Sequence, residues 1–487
     1  MAENHSRILD DQARLSEQLQ LLNQFEYSDL EIPDVQQHWK QDRETRITAR
    51  LLDTIAVALT TGKPGEVFAA TFDTRNGLRL VLAKNEDVTD EDDRAVREFF
   101  QAIIAPETTE AYDVFPFLFS RCAENIAKRI EMIGRAVFGF SYVLDEAYRD
   151  YYPSASIEEE FPHSTAYRNI KYGGYQLPSL QTVLRDLLTD ITKLVQKFNL
   201  QNLSATPNLY AVFARLVVTA ATFNSSRFLR RLTDFPSSMN LDWSLQTGPL
   251  KRHLAEVLQY ALGVDKLIKH AKLHFPNGIQ HRWVDAFQGI GATMLNLDDS
   301  YVKPISRVLG CSDVSEETLA KLCRKSPNMG EMWRRSRSVT IRLHAEIRIL
   351  LYLSNPVDAS DHCQQKPIGC SEQTCLCCTL WIRAYNQEFG TNWLASASNG
   401  KPCATWALPG CSFAHALEKG GRSVIDEAVV EGIEERLTRT LQSLLSEECE
   451  SSDSDSDWGL ECEYVMSEEM KALVAKRHQD ARKRVQV

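Results

Sequence analysis

Six of the twelve cysteines in this 487-residue chain lie between Cys363 and Cys403, and that clustering limits the possible folds more than any other feature. Thiols gathered so densely are held together by disulfides in small secreted domains and by metal or redox chemistry elsewhere. Residues 1–19 contain neither an apolar core of signal-peptide length nor a small-residue cleavage site. No run approaches about 18 consecutive apolar residues, so no membrane span is expected. The expected setting is intracellular, cytoplasm or nucleus, and the cysteines point to metal or redox chemistry rather than structural disulfides.

A chain of 487 residues exceeds one ordinary core, and about two to four structural units are expected. The net charge of −11 is uneven: residues 446–463 hold eight acidic side chains and no basic one, and the remainder carries only −3. The acidity is therefore local and leaves open how the folded part meets a nucleic acid.

Changes of texture divide the sequence. Residues 1–65 read as helical, with Ile47, Leu51, Leu52, Ile55 and Leu59 at helical spacing before Thr60-Thr61-Gly62-Lys63-Pro64-Gly65. Residues 66–90 contain two β-favouring runs around Asn76-Gly77, a strong hairpin signal. Residues 91–330 read as a helical domain, with runs at 118–137, 180–198, 210–232 and 250–273. Residues 331–420 mix a β-prone run at Ser338-Val339-Thr340-Ile341, helical runs at 344–353 and 379–389, and an expected strand at 404–408. An amphipathic helix follows in 421–445, marked by Val430, Ile433, Leu437, Leu441 and Leu444. The acidic 446–464 cannot bury enough apolar surface to offset its ordering entropy, so disorder is expected there. Residues 465–487 read as a basic helix.

Two short segments carry chemistry. Leu343-His344-Ala345-Glu346 supplies an imidazole and a carboxylate, and Cys375-Leu376-Cys377-Cys378 supplies a thiol pair. A catalytic zinc takes three protein ligands and keeps its fourth tetrahedral position for water. His344, Cys375 and Cys378 satisfy that count, and Glu346 can face the water without ligating. Cys375 and Cys378 fall where a helix is expected to begin, and its N–H groups and positive end favour thiolates. No phosphate-binding GxxxxGK[ST] loop, dinucleotide glycine fingerprint or Gly-x-Ser-x-Gly elbow occurs, which excludes several common enzyme classes.

The His-x-Glu and Cys-x-x-Cys pair is similar to the zinc deaminase signature. The wider wording, LHAEIRILLYL followed by IGCSEQTCLCC, resembles the OTT-type nucleic-acid and nucleotide deaminases, a divergent branch of the cytidine deaminase superfamily. The resemblance covers about 75 residues, from Val339 to roughly Pro409. It implies Zn2+ on His344, Cys375 and Cys378, with Glu346 shuttling protons while water displaces ammonia from a nucleobase in a nucleotide or single-stranded nucleic acid. It implies an α/β fold, a cytidine deaminase-like α/β/α core with a mixed sheet, joined here to a large mostly α-helical domain. It further implies that the 66–90 hairpin supplies the first strands of that core and pairs beside the segment near Ile368. Asn85 would then be the substrate-binding residue. One departure stands out: Thr374 occupies the position before the first cysteine, where most of the superfamily has proline.

Blander readings stay open on the residues alone. Cys363, Cys370, Cys375 and Cys378 could close a structural four-thiolate zinc site, making the chain a non-catalytic helical interaction protein, but that reading leaves His344 and Glu346 unexplained. The run Trp333-Arg334-Arg335-Ser336-Arg337, with Arg342 and Arg348, reads either as a guide for phosphate-bearing substrates or as a solvated charged face.

Overall fold

The computed structural model describes residues 2–29, 43–75, 77–149, 151–153, 156–200, 206–234, 241–284, 292–354, 365–395, 398–410 and 423–446. Asn76, Cys363 and the expected acidic and basic segments beyond Ser446 lie outside these. Every strand among the described residues belongs to one compact unit, 1–444.

The fold is mixed α/β and mostly helical. Five strands make one mixed sheet: β1 (Phe68–Asp73), β2 (Arg79–Lys84), β3 (Gln280–Trp283), β6 (Lys366–Cys370) and β7 (Trp393–Ala395), in the order β3-β2-β1-β6-β7. β1 and β2 form the expected antiparallel hairpin, in register from Phe68↔Lys84 to Asp73↔Arg79. The turn is reached through Gly77 at φ +90°, a conformation that glycine adopts without steric cost. β1 then pairs antiparallel with β6 through Ala69↔Cys370 and Ala70↔Gly369, so the hairpin does join the strand at Ile368. β4 (Thr293–Asn296) and β5 (Ser338–Ile341) make a separate two-stranded sheet.

Successive residues of β1, Phe68 to Thr71, are all buried, and strand side chains alternate between faces, so both faces of the sheet are covered. Phe68, Ala70, Leu80 and Leu82 share one apolar cluster with Leu51, Leu52 and Ile55 of the helix Arg43–Leu59, and that cluster continues through the helical stretch to Phe275. Ala69, Val81 and Ala83, equally buried, point the other way. The helix Ala345–Leu353 packs on β1 and β2. Near-continuous burial of this kind explains why the strands read as apolar runs rather than alternating ones.

At Gly369 the helix Arg43–Leu59 meets the sheet without room for a side chain. A Cβ there would stand 2.2 Å from the Leu52 carbonyl carbon and 2.3 Å from the Asp53 nitrogen. Those are backbone atoms, which no rotamer change moves aside. Gly369→Ala is therefore expected to cost about 3 kcal/mol, the upper end of ordinary overpacking, read from the midpoint of denaturant unfolding. A wild-type midpoint would show that the helix can retreat from the sheet.

Several expectations need correction. β3 and β4, two short unexpected strands, lie within 91–330, a block that reads as mostly helical. The run at 210–232 is two helices, Pro207–Asn224 and Arg227–Asp234, parted where the Ser226 hydroxyl accepts the Leu229 amide. The run at 118–137 is likewise broken at Cys122, between Ala111–Arg121 and Ala123–Arg149. The expected strand at 404–408 is a loop with a single bridge, Trp406 to Arg342. The C-terminal helix Val424–Ser446 buries Ile433, Leu437 and Leu441 as read, but Val429 in place of Val430, and Leu444 is only half-buried.

Candidate metal centre

Both chemical motifs sit at helix starts. His344 is extended (φ −69°, ψ 149°) and immediately precedes the helix Ala345–Leu353, and Cys375 (φ −76°, ψ 167°) immediately precedes the helix Leu376–Phe389. Neither uses its side chain to cap its own helix, so imidazole and thiol are left for each other. Cys378 lies one turn beyond Cys375 and shares its face. The Cys375 Sγ lies 3.6 Å and the Cys378 Sγ 3.4 Å from His344 Nδ1. The three ligand atoms all lie within 4.8 Å of one another, and all three residues are buried. This set can hold a metal ion.

Glu346 is 2% exposed, and its Oε2 has no hydrogen-bond partner. Burial pushes its carboxyl above the ordinary range, although His344 draws it back down. For His344, burial works against the charged form, but the Cys375 and Cys403 sulfurs around it prevail and hold it well up. Burial also opposes the Cys375 thiolate; hydrogen bonds from the Cys377 and Cys378 thiols and the facing imidazole outweigh that and hold it well down. Burial raises Cys377 and Cys378 themselves. Imidazole and thiol thus each favour the charged form of the other, and a cation bound among them would displace protons.

Asn85, 260 residues from the helix it touches, accepts the Ala345 amide on Oδ1 at 2.7 Å. The side chain thereby satisfies one of the open N–H groups of that helix start. Its position follows from strand alternation: Lys84 points into the helical stretch, so Asn85 turns toward His344 and Glu346. Lys84 is buried between Glu66 and Asp92, at 3.1 Å from each, and Arg121 also pairs with Asp92 at 2.5 Å.

Burial alone would raise both carboxyls, but for Glu66 the Thr61 hydrogen bonds and Lys84, and for Asp92 the Thr89 amide, Arg121 and Lys84, leave them lowered. Carboxyls lowered in the folded state contribute stability that is complete above their unfolded values, near pH 4, and lost as pH falls through the folded ones. Lys84→Met leaves Glu66 without its cation and Asp92 with Arg121 alone, and should cost about 3–5 kcal/mol at pH 7, shrinking as pH drops below 4. Equal losses at pH 7 and pH 3 would show that the network is neutral.

Two contacts to the ligands went unread in the sequence. Cys403 Sγ lies 3.7 Å from His344 Nε2, and the Trp406 indole donates to Cys378 Sγ at 3.3 Å. The crowding of cysteines hinted at the first; nothing hinted at the second. Cys403 stands at the ring nitrogen remote from the other sulfurs and is not among the mutually close ligand atoms. Nor is Cys370, which is buried, while Cys363 lies outside the described residues.

The arginine run before the site is engaged with protein. Arg335 pairs with Glu331, Arg337 with Asp299 and Arg342 with Glu86. Arg334 donates to the Gly330 carbonyl, and buried Arg348 donates to the Lys84 carbonyl at 2.7 Å. Trp333 is buried, with its indole on the Asp298 carbonyl. Arg334, Arg335 and Arg337 are exposed, as on a solvated charged face, whereas Arg342 is half-buried and Arg348 buried. Among the described residues, no helix is long and apolar enough to cross a membrane.

Residues 343–410 match the family described as OTT_1508-like deaminase. The matched segment contains His344, Glu346, Cys375, Cys378, Cys403 and Trp406, and leaves the rest of the chain unassigned. No curated protein and no solved structure matches the chain.

Proposed function

We propose, from the premise that residues 343–410 belong to a deaminase family, that this protein is a zinc-dependent hydrolytic deaminase of nucleobases carried in a nucleotide or single-stranded nucleic acid. The observation that carries the reading is the buried Glu346 carboxyl, with one oxygen unpartnered, two residues from His344 and against Cys378. A structural site has no use for such a group, and an orphaned buried oxygen costs stability.

The ligand distances suit zinc. Tetrahedral bonds of about 2.0–2.1 Å to nitrogen and 2.3 Å to sulfur separate the two atoms by about 3.6 Å, against 3.6 and 3.4 Å here. A zinc ion so held supplies Lewis acidity and brings the pKa of water to about 7. Glu346 takes the proton of the attacking water, holds it on a carboxyl whose affinity burial has raised, and gives it to the ring nitrogen. It then assists the amino group to leave as ammonia. Asn85 commits Oδ1 to the Ala345 amide and keeps its two N–H donors for a carbonyl of the base. In this reading residues 91–330 are an insertion that decorates the catalytic core and lends the sheet its edge strand β3.

The test is metal analysis of the purified chain together with ammonia release from cytosine- and adenine-bearing nucleosides, nucleotides and single-stranded oligonucleotides. One zinc per chain and turnover of any of these supports the proposal. Absence of bound metal, or a fourth sulfur on it, sinks the reading. Asn85→Asp offers a finer check, since it keeps an oxygen for Ala345 but loses the donors. It should fold and bind zinc while raising KM about tenfold, the value of one good hydrogen bond. An unchanged KM would confine Asn85 to its cap.

A further inference from the structure

The 403–406 loop touches two of the three ligands from outside the ligand set. Cys403 Sγ stands 3.7 Å from His344 Nε2, and Trp406 Nε1 donates to Cys378 Sγ at 3.3 Å. The loop is itself fixed. The Arg342 amide donates to the Thr405 carbonyl at 2.7 Å and the Ala407 amide to the Arg342 carbonyl at 2.9 Å, which ties it to the residues just before His344. Gln12, from the helix Ala2–Gln24, donates to the Trp406 carbonyl at 2.9 Å and accepts the Leu408 amide at 2.7 Å. Thr405 Oγ1 lies 3.2 Å from Cys403 Sγ, and Trp406 is wholly buried.

We propose that Cys403 and Trp406 are the positioning residues of the metal centre, Cys403 selecting the tautomer of His344 and Trp406 moderating the electron donation of Cys378. The inference rests on the metal reading above. A neutral imidazole carries one proton, so Nδ1 offers its lone pair to a metal only when the proton sits on Nε2. An acceptor beside Nε2 stabilises that form, and here the acceptor is a sulfur. Such outer partners usually fix ring orientation and raise ligand basicity, and their removal typically weakens metal binding about 10–100-fold. The indole N–H works in the opposite sense: it withdraws charge from the Cys378 sulfur and fixes its direction.

The experiment is zinc affinity by chelator competition, with the absorption of the cobalt(II) form and the melting of the metal-free protein as parallel readouts. Cys403→Ala is expected to weaken zinc about 10–100-fold with little change in metal-free melting. Cys403→Ser, whose hydroxyl also accepts from Nε2–H, should recover most of the loss. Trp406→Phe keeps the ring volume and should shift the cobalt–thiolate charge-transfer band. Wild-type affinity in Cys403→Ala with an unmoved band in Trp406→Phe overturns the proposal. So does a serine variant as weak as the alanine one with equal loss of metal-free stability, which would mean packing alone. If Cys403→Ala does not fold, the serine variant's affinity and the Trp406→Phe band decide by the same criteria. Failure of the wild-type chain to bind zinc or cobalt would instead overturn the metal reading itself, a distinct outcome.

Discussion

Glu346→Gln is expected to hold its zinc like the wild type and to deaminate about 10²–10⁴ times more slowly, the usual weight of a positioned acid–base group. Glutamine keeps the volume of the side chain and cannot carry a proton between water and base. Ground-state contacts change little, so the loss should fall on kcat rather than KM. The buried carboxyl also has a mirror effect on stability. An unpartnered buried oxygen costs about 1–3 kcal/mol, and Glu346 Oε2 is such an atom. A Glu346→Leu chain, which removes it, should melt higher than wild type in the metal-free state. Full turnover in Glu346→Gln would remove the proton-shuttle assignment whatever the metal content.

Cys375→Ser is expected to reduce bound zinc from one per chain to a small fraction. Cys375 is the ligand whose thiolate is already favoured by its neighbours, and a serine hydroxyl does not ionise in this range. The loss should also appear as stability. An ion present at about a thousand times its Kd contributes about 4 kcal/mol to folding, so chelator should lower the wild-type melting temperature and leave that of Cys375→Ser unmoved. Cys363→Ser provides the contrast. Unchanged zinc there, beside loss in Cys375→Ser, excludes the four-thiolate arrangement; parallel loss in both would establish it.

The candidate centre was legible in the sequence because its parts are local: His344 and Glu346 share one helix start, and Cys375 and Cys378 share another. The hairpin was legible through Asn76-Gly77 and the apolar runs beside it. Its placement against β6 came only through the family resemblance, since no local preference encodes Ala69 opposite Cys370. β3 was missed because Gln280-His281-Arg282-Trp283 has no apolar alternation. Among the described residues it is an edge strand, paired with β2 in parallel register from Arg79↔Gln280 to Leu82↔Trp283. Trp406 and Gln12 were missed for the same kind of reason. Their bond spans 394 residues, and nothing in either neighbourhood advertises a partner.

The pairing of Ala69 with Cys370 bears on how the protein is made. A ribosome adds about 5–20 residues per second, so β1 waits roughly 15–60 seconds after its own synthesis for β6 to emerge. Throughout that interval one border of the nascent hairpin presents bare amides and carbonyls that any extended neighbour can seize. The chain should depend on chaperones during translation, and moving the 366–395 segment ahead of the long helical stretch by circular permutation should relieve that dependence.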